Sequence, residues 1–324
     1  MENSHYEMVK YHSRQKHKFI ECYLKIWTDN VGNKKKSGVP SLDIIDLYAA
    51  SGWAECEETK RYGMGDDKWE GSAVLAARCL DNYSFPRSLI LNSYHPDPDK
   101  REAQLATLKK NIWPFKRLRN KVEYESLPIE DAVQWALPKV NPCYPSIWIL
   151  DPYTPDQLPW HVIEAIGNHR GTYPKGGRLV ERKPEIIINL MTSSLQRNIE
   201  INPRIISDAV GLKESEWLPE YQETIKGHGE MNARQYILKL FAERLSEYYK
   251  KPPIVAEIQS TAQTNIVYCM LLCTDHDAGH YMMKLQGIPE LKNWEIYQWR
   301  GTAERITTKK KLEKKGQKDL FDFY

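Results

Sequence analysis

The sequence predicts an α/β fold: a mostly parallel sheet with helices on both faces, completed by an antiparallel strand. Three observations carry that expectation. Short apolar runs, many of them β-branched, recur over the first 190 positions. They are too brief for helices and typical of strands buried on both faces. Segments with apolar residues at helical spacing separate them, so strand and helix alternate, as they do around a parallel sheet. Beyond residue 250, two further apolar runs are joined by only a short polar connection, which makes them antiparallel neighbours.

The stretch 146–168, SIWILDPYTPDQLPWHVIEAIGN, organises the rest. Residues 147–150 form a strand that Asp151-Pro152-Tyr153 stops. Pro152 lacks a backbone donor and pushes the preceding residue into an extended conformation, so the Asp151 carboxylate is presented at the strand's carboxyl end. A helix over 159–168 follows, with Pro159 suited to its first turn. In open parallel sheets the ligand site lies beyond such strand ends.

In chain order, residues 1–15 read as a flexible, moderately basic N-terminus. Residues 16–27 read as an amphipathic helix with Phe19, Cys22, Tyr23, Ile26 and Trp27 on one face. Residues 42–49 are the first strong strand, and the small residues Ala50-Ser51-Gly52 after it allow a ligand's close approach. An ordinary turn after a core strand is the equal alternative, since no GxGxxG is present. A polar loop spans 55–70, and Gly71-Ser72 caps a helix running to residue 80. Strands then fall at 88–91, 122–124 and 185–190, with helices at 99–112 and 129–137. Residues 203–250 break the rhythm as a helical insertion, with helices at 205–210 and 235–249. Strands at 254–258 and 266–273 and a helix at 277–285 complete the core. The expected organisation is therefore a core over 16–202, the insertion over 203–250, completion of the sheet over 251–286, and a basic tail over 287–324.

Composition sets the outer bounds. The chain has 324 residues, 46 Lys and Arg against 43 Asp and Glu, and a net charge of +3, which neither demands nor excludes nucleic acid. No apolar run approaches the roughly 20 residues of a membrane helix, and no signal-peptide core follows the basic N-terminus, so a cytoplasmic location without membrane contact is expected. The six cysteines are scattered without a CxxC pair, which argues against disulfides and zinc. Cys269 and Cys273 share a strand face ahead of Asp275, His276 and His280. Core cysteines beside helix-start histidines explain them better than a metal site does. His95 reads as a loop histidine and His161 as a structural one. Walker, HExxH and GxSxG motifs are absent, which removes support for the chemistry each performs.

Five strands punctuated by helices and followed by an antiparallel pair is a pattern that resembles class I, Rossmann-like S-adenosylmethionine-dependent methyltransferases. KHKFIECYLKIW (16–27), DLYAASG (46–52), Gly71-Ser72, LDPYTPDQLPWHVIE (150–164), IIINLMTSSLQRN (186–198), VYCMLLCTDHDAGHYMM (267–283) and the Leu320-Phe321-Asp322 ending resemble the three-Cys-motif partner branch. The resemblance implies S-adenosylmethionine as cofactor, and the cysteine and histidine spacing gives no reason to expect a metal. The resemblance places the cofactor against Asp46, Tyr48, Ala50 and Gly52, with Gly71, Ser72, Ser93 and Asp131 completing the pocket. The family pattern there is D-G-F-A-G-P-G, so this chain lacks two of its glycines and its proline. At the second strand's end, Asn92-Ser93 replaces the usual acid, which gives up the charge-assisted hydrogen bond to ribose.

Asp151-Pro152-Tyr153 resembles a shortened D-P-P-Y motif of amine methyltransferases, in which the acid holds an exocyclic amine and the ring stacks on a flipped base. A helix-initiating turn with Tyr153 packed beneath it is the competing reading. The tail adds Lys309, Lys310, Lys311, Lys314 and Lys315, and residues 305–318 carry seven basic residues against one acid, a charge that attracts phosphate backbones. Lys34, Lys35, Lys36, Lys109, Lys110, Arg117 and Arg119 add to it, while Trp53, Trp69 and Trp113 are candidates for stacking or for packing. The expected function is methyl transfer to a nucleic-acid amine. The alternative is a degenerate, non-catalytic scaffold subunit in a multi-protein, anti-phage assembly, since the family name itself implies a protein partner.

Overall fold

The computed structural model describes residues 7–10, 12–32, 41–57, 67–83, 87–228, 231–260, 266–277, 279, 283, 296–299 and 305–307. The chain divides into two compact units, Met1–Pro152 with Val162–Ile188, and Tyr153–His161 with Asn189–Tyr324.

The first unit opens with β1 (Glu7–Val9) and α1 (His12–Gly32), both reaching into the stretch expected to be flexible. Then come β2 (Leu42–Asp46), β3 (Trp53–Cys56), β4 (Lys68–Glu70), α2 (Ser72–Asp81), β5 (Arg87–Asn92), α3 (Pro98–Ile112), β6 (Val122–Glu125), α4 (Ile129–Ala136), β7 (Ser146–Leu150), α5 (Trp160–Gly167), the hairpin β8 (Gly171–Lys175) and β9 (Arg178–Arg182), and β10 (Glu185–Leu190). Five strands lie in the order β10-β7-β2-β5-β6, and every pairing among them is parallel. The first of these strands in the chain sits at the centre, two successors extend one way and two the other, so the winding reverses between β2 and β7. That reversal opens the crevice where doubly wound sheets take their ligands. Asp46 is level with Leu91 on one side and Ile149 on the other. The tips after residues 46, 92 and 150 therefore share one edge.

β1, β3 and β4 form a separate small sheet, and β4 with the end of β3 falls in the stretch 55–70 expected to be loop. Val9, Ala54, Cys56 and Trp69 make its apolar cluster. The hairpin β8–β9 also lay outside the expectations. Its β9 residues alternate between exposed and half-buried without an apolar face, so periodicity gives no strand signal there.

Helix α1 is fixed by polar groups at two levels. Near its carboxyl end the Tyr23 hydroxyl and the Trp27 indole both donate to the buried Glu185 carboxylate at the start of β10, the indole at 2.9 Å. Near its amino end Lys16 lies on the same face, seven and eleven residues earlier, and reaches the tip of β7.

In the second unit, α6 (Thr192–Asn198), α7 (Pro203–Val210), α8 (Glu214–Gln222) and α9 (Ala233–Leu245) precede β11 (Ile254–Gln259), β12 (Ile266–Cys273), β13 (Ile296–Trp299) and β14 (Arg305–Thr307). These strands run in the order β14-β13-β11-β12, and β11 pairs antiparallel with β12, as the short connection between them predicts. β13 and β14 fall inside the stretch expected to be a basic tail. Trp160 packs edge-on against Phe241, and Trp217, Tyr221 and Tyr236 form a chain of edge-to-face aromatic contacts between the helices. α7 closes on Gly211 in the left-handed conformation (φ 66°), where an added Cβ would strike the Trp160 ring at 2.4 Å.

The loop after β2 is tied down from several sides. Ala49 N donates to Asn92 O at 2.9 Å, Gly52 N to Ala49 O at 3.1 Å and Gly71 N to Gly52 O at 2.8 Å. Gly52 has φ 84° and Ala50 has φ 46°, the latter a left-handed value at a residue with a side chain. Ala50 thus holds a backbone conformation that glycine adopts at no steric cost. The left-handed conformation costs a non-glycine residue about 1–2 kcal/mol, and glycine's extra chain entropy takes back about 0.5–1 kcal/mol. Ala50→Gly is therefore expected to raise the unfolding free energy by about 0.5–1 kcal/mol, measured by urea denaturation. An unchanged or lower midpoint would show that the loop carries no such strain.

Candidate active site

Around the β2–β7 crevice the first unit gathers an unusual set of buried polar groups. Asp151, just beyond β7, is 7% exposed, and its Oδ2 pairs with Lys16 Nζ at 2.6 Å. Lys16 is itself only 7% exposed. His17 Nε2 stands 3.9 Å from the same oxygen. The Trp69 indole donates to His17 Nδ1 at 2.8 Å, so the neutral ring carries its proton on Nε2, the nitrogen facing Asp151. Burial, reinforced by the adjacent Lys16 charge, holds the His17 pKa well below its ordinary value. The small β1-β3-β4 sheet thus supplies the tryptophan that sets the tautomer of a histidine on α1.

Asp46 ends β2 and is fully buried. Its Oδ1 accepts from Tyr48 N at 3.0 Å, whereas its Oδ2 accepts no hydrogen bond. Burial pushes the Asp46 pKa up to about 7; the neighbouring Ser72 hydroxyl and the Tyr48 amide offset this in part, and the charges of Asp151 and Glu7 add to it. Burial, with the charges of Glu130 and Asp151, also pushes the Tyr48 phenol well above its usual range, so Tyr48 is a neutral hydroxyl at physiological pH.

The other predicted positions divide. Gly71 caps α2 against Gly52, and a Cβ there would meet Gly52 O at 3.1 Å, so this glycine serves loop packing. A Cβ on Gly52 would come within 3.0 Å of Val74 Cγ2 and 3.2 Å of Leu108 Cδ1, again a packing constraint. Ser93 is fully buried, with its hydroxyl donating to Ala50 O at 2.7 Å. Asn92 donates to Leu47 O at 3.2 Å and Leu127 O at 3.0 Å and accepts from Leu127 N at 2.9 Å. The tip of β5 therefore spends its polar groups holding neighbouring loops. Asp131 lies in the first turn of α4 and is exposed. Pro152 is buried. Tyr153 belongs to the second unit, is 44% exposed, and donates its amide to Gln157 Oε1 at 2.9 Å. Its surface exposure removes the reading in which the ring packs beneath a turn.

His95 is half-buried in the loop after β5 and accepts from Asp97 N at 3.0 Å. His161 is exposed. Trp69 packs in the small sheet's core and Trp113 is exposed. Cys269 and Cys273 are buried in β12, and no cluster of metal-ligating side chains occurs among the described residues. No described helix is long and apolar enough to cross a membrane. Lys34, Lys35, Lys36, Lys309, Lys310, Lys311, Lys314, Lys315, His280 and the 320–322 ending lie outside the described residues, as does most of the helix expected at 277–285.

Sequence reasoning missed Lys16 and His17. Lys16 lies three and seven residues before Phe19 and Tyr23, on the apolar stripe of an amphipathic helix. A charge on that stripe is the signal that marks it.

No protein-family model and no curated protein matches the chain. Among solved structures it is similar to protein LPL1258 of Legionella pneumophila, a DUF519 protein, at 12% identity and TM-score 0.41 over 80% of this chain and 85% of that one. It is similar to cofactor-bound Rv0187 from MTB at 12% identity and TM-score 0.34 over 81% of each chain. It is also similar to the plantazolicin methyltransferase BamL, in complex with a triazolic desmethylPZN analog and SAH, at 10% identity and TM-score 0.31 over 82% and 88%.

The Asp46 environment has a pH signature. An acid whose pKa is raised on folding stabilises the fold fully below its unfolded pKa, and the contribution is lost as pH rises through the folded value. For Asp46 that window runs from about 4 to about 7. His17, lowered on folding, acts in the opposite sense, losing its contribution as pH falls below about 6.5. Asp46→Asn isolates the acid. The stability of the variant relative to wild type should rise with pH across this window, at up to about 1.4 kcal/mol per unit. Parallel pH profiles for the two proteins would show that Asp46 is not held protonated.

Proposed function

We propose that this chain is a methyltransferase-like protein that takes S-adenosylmethionine at the β2–β7 crevice and holds an amine acceptor, an exocyclic amine of nucleic acid, at Asp151. The observation that carries the reading is the buried Lys16–Asp151 ion pair at the winding reversal. Burying two charges is a poor way to stabilise a fold, because the desolvation cost rivals the attraction. Charges kept buried at a ligand crevice, beside an acid with a strongly raised pKa, fit a functional site.

The residues fit the cofactor in one respect. Asp46 Oδ2 is a buried acceptor without a hydrogen-bond partner at the tip of the first core strand, and a donor group of the cofactor would satisfy it. When bound, the cofactor supplies a methyl group already activated on a sulfonium. The protein's task is then chiefly to position the acceptor. Asp151 accepts a hydrogen bond from the amine, Lys16 and His17 orient that carboxylate from the side of α1, and Tyr48 presents a neutral hydroxyl near it.

A second reading is favoured by a specific observation. Asn92 and Ser93 are committed to loop carbonyls, so β5 offers no carboxylate for a ribose. On that reading the chain is a non-catalytic scaffold that works with a protein partner.

Titration calorimetry with S-adenosylmethionine and S-adenosylhomocysteine separates the two. Micromolar binding, weakened at least about tenfold by Asp46→Ala, is the expected result, with methyl transfer to RNA or DNA lost in Asp151→Ala. No heat at millimolar ligand would leave the scaffold.

A further inference from the structure

A basic surface lies away from the strand tips. Residues 109–121, KKNIWPFKRLRNK, hold six basic residues and no acid. They run from the last turn of α3 to the start of β6, and so reach the edge where the parallel strands begin, the rim opposite the Asp46 and Asp151 tips.

The segment is anchored and pre-organised. Ile112 and Leu118 are buried, and consecutive turns are closed by Trp113 N to Lys109 O at 3.0 Å, Phe115 N to Ile112 O at 3.1 Å, Leu118 N to Phe115 O at 3.0 Å and Lys121 N to Leu118 O at 2.7 Å. Between these anchors Trp113 projects with 63% of its surface exposed, and the Arg119 guanidinium lies 4.5 Å from its ring centre. A large aromatic side chain held outward by a rigid turn, with a cation on it and cations around it, has no role in the core. Asp81 meets this segment, accepting from Arg117 N at 2.9 Å, while Arg117 Nη1 donates to the Asp81 carbonyl at 3.1 Å.

The hairpin β8–β9 adds a second station on the same rim, since it directly precedes β10. Residues 170–183 carry five basic residues against one acid, and Arg182 stacks on Tyr173 at 3.9 Å. Gly171 abuts Pro142, in the connection that leads into β7. Two arginine–aromatic stacks thus stand on one basic edge. That combination suits a polymer offering phosphates at intervals with unpaired bases between them. A duplex keeps its bases stacked away from Trp113, and an acidic peptide offers the charge without the flat rings.

We infer that this rim binds single-stranded nucleic acid, with Trp113 stacking a base and Arg117 and Arg119 meeting the backbone. The inference stands apart from the cofactor reading, because binding here needs no cofactor and uses none of the strand-tip residues.

Fluorescence anisotropy on the full chain, without cofactor, tests it with labelled 20-nucleotide single-stranded DNA, the matching RNA and the DNA duplex, each from 50 to 300 mM KCl. Single strands should bind more tightly than duplex, and the two single-stranded arms identify the natural polymer. Trp113→Ala should weaken binding about five- to hundredfold. The double change Arg117→Ser with Arg119→Ser should flatten the logarithmic salt slope by about 1.4, two phosphates at about 0.7 each. All three residues are exposed, so circular dichroism should show the fold intact. Affinity and slope unchanged in both variants would overturn the proposal, including the case in which binding disappears only when the chain is cut after Gly301. A duplex preference that survives Trp113→Ala would overturn it as well.

Discussion

Everything at the strand tips depends on where α1 is held. Lys16 reaches Asp151 because Tyr23 and Trp27, two and three turns further along the same face, grip Glu185 at the far end of the sheet. The helix therefore runs against the strands with a polar clamp at each level. Its apolar residues Phe19, Ile20 and Leu24 fill the space between. Each clamp involves a buried charged group, and a buried charge tolerates little displacement before its partner is lost. The site's geometry is thus set by a helix that lies outside the alternating strand–helix pattern.

The strand tips divide their polar groups between two tasks. At β5, Asn92 and Ser93 serve architecture, bonding to the loops that follow β2 and β6. At β2 and β7, Asp46 and Asp151 are buried acids, one with an oxygen lacking a hydrogen bond and one answered by a lysine. The loop between β2 and β3 has two left-handed residues, Ala50 and Gly52, of which only the second is glycine. The crevice between β2 and β7 thus holds buried charges, and the tip of β5 carries no acid.

Much of this was legible in the sequence. Apolar runs at 42–49, 147–150 and 185–190 supply the central strands, which are buried along their length; the first strand stops at Asp46, three residues short of the expected end, and the Asp151-Pro152 stop sets where β7 ends. Adjacency of the tips followed from parallel winding alone. The roles of Lys16 and His17 were not legible, because they depend on which face of α1 meets which strand end, a long-range fact that local periodicity does not encode. The β8–β9 hairpin escaped for a different reason: its half-buried face, with Tyr173, Val180 and Arg182, mixes apolar and charged residues, so the alternation in burial has no counterpart in hydrophobicity. Nucleic-acid contact was expected at the lysines beyond residue 308, which lie outside the described residues, and at Lys109, Lys110, Arg117 and Arg119, with Trp113 open to stacking or to packing; of those two readings of Trp113 the structure excludes packing, since the ring is exposed beside Arg119.

Hydrogen–deuterium exchange with and without S-adenosylhomocysteine tests the central claim most directly. If the β2–β7 crevice is the ligand site, added ligand slows amide exchange in the peptides covering residues 46–52 and 150–151 and leaves the hairpin at 171–182 unchanged. Identical exchange at the strand tips in saturating ligand, or protection confined to other segments, would contradict it.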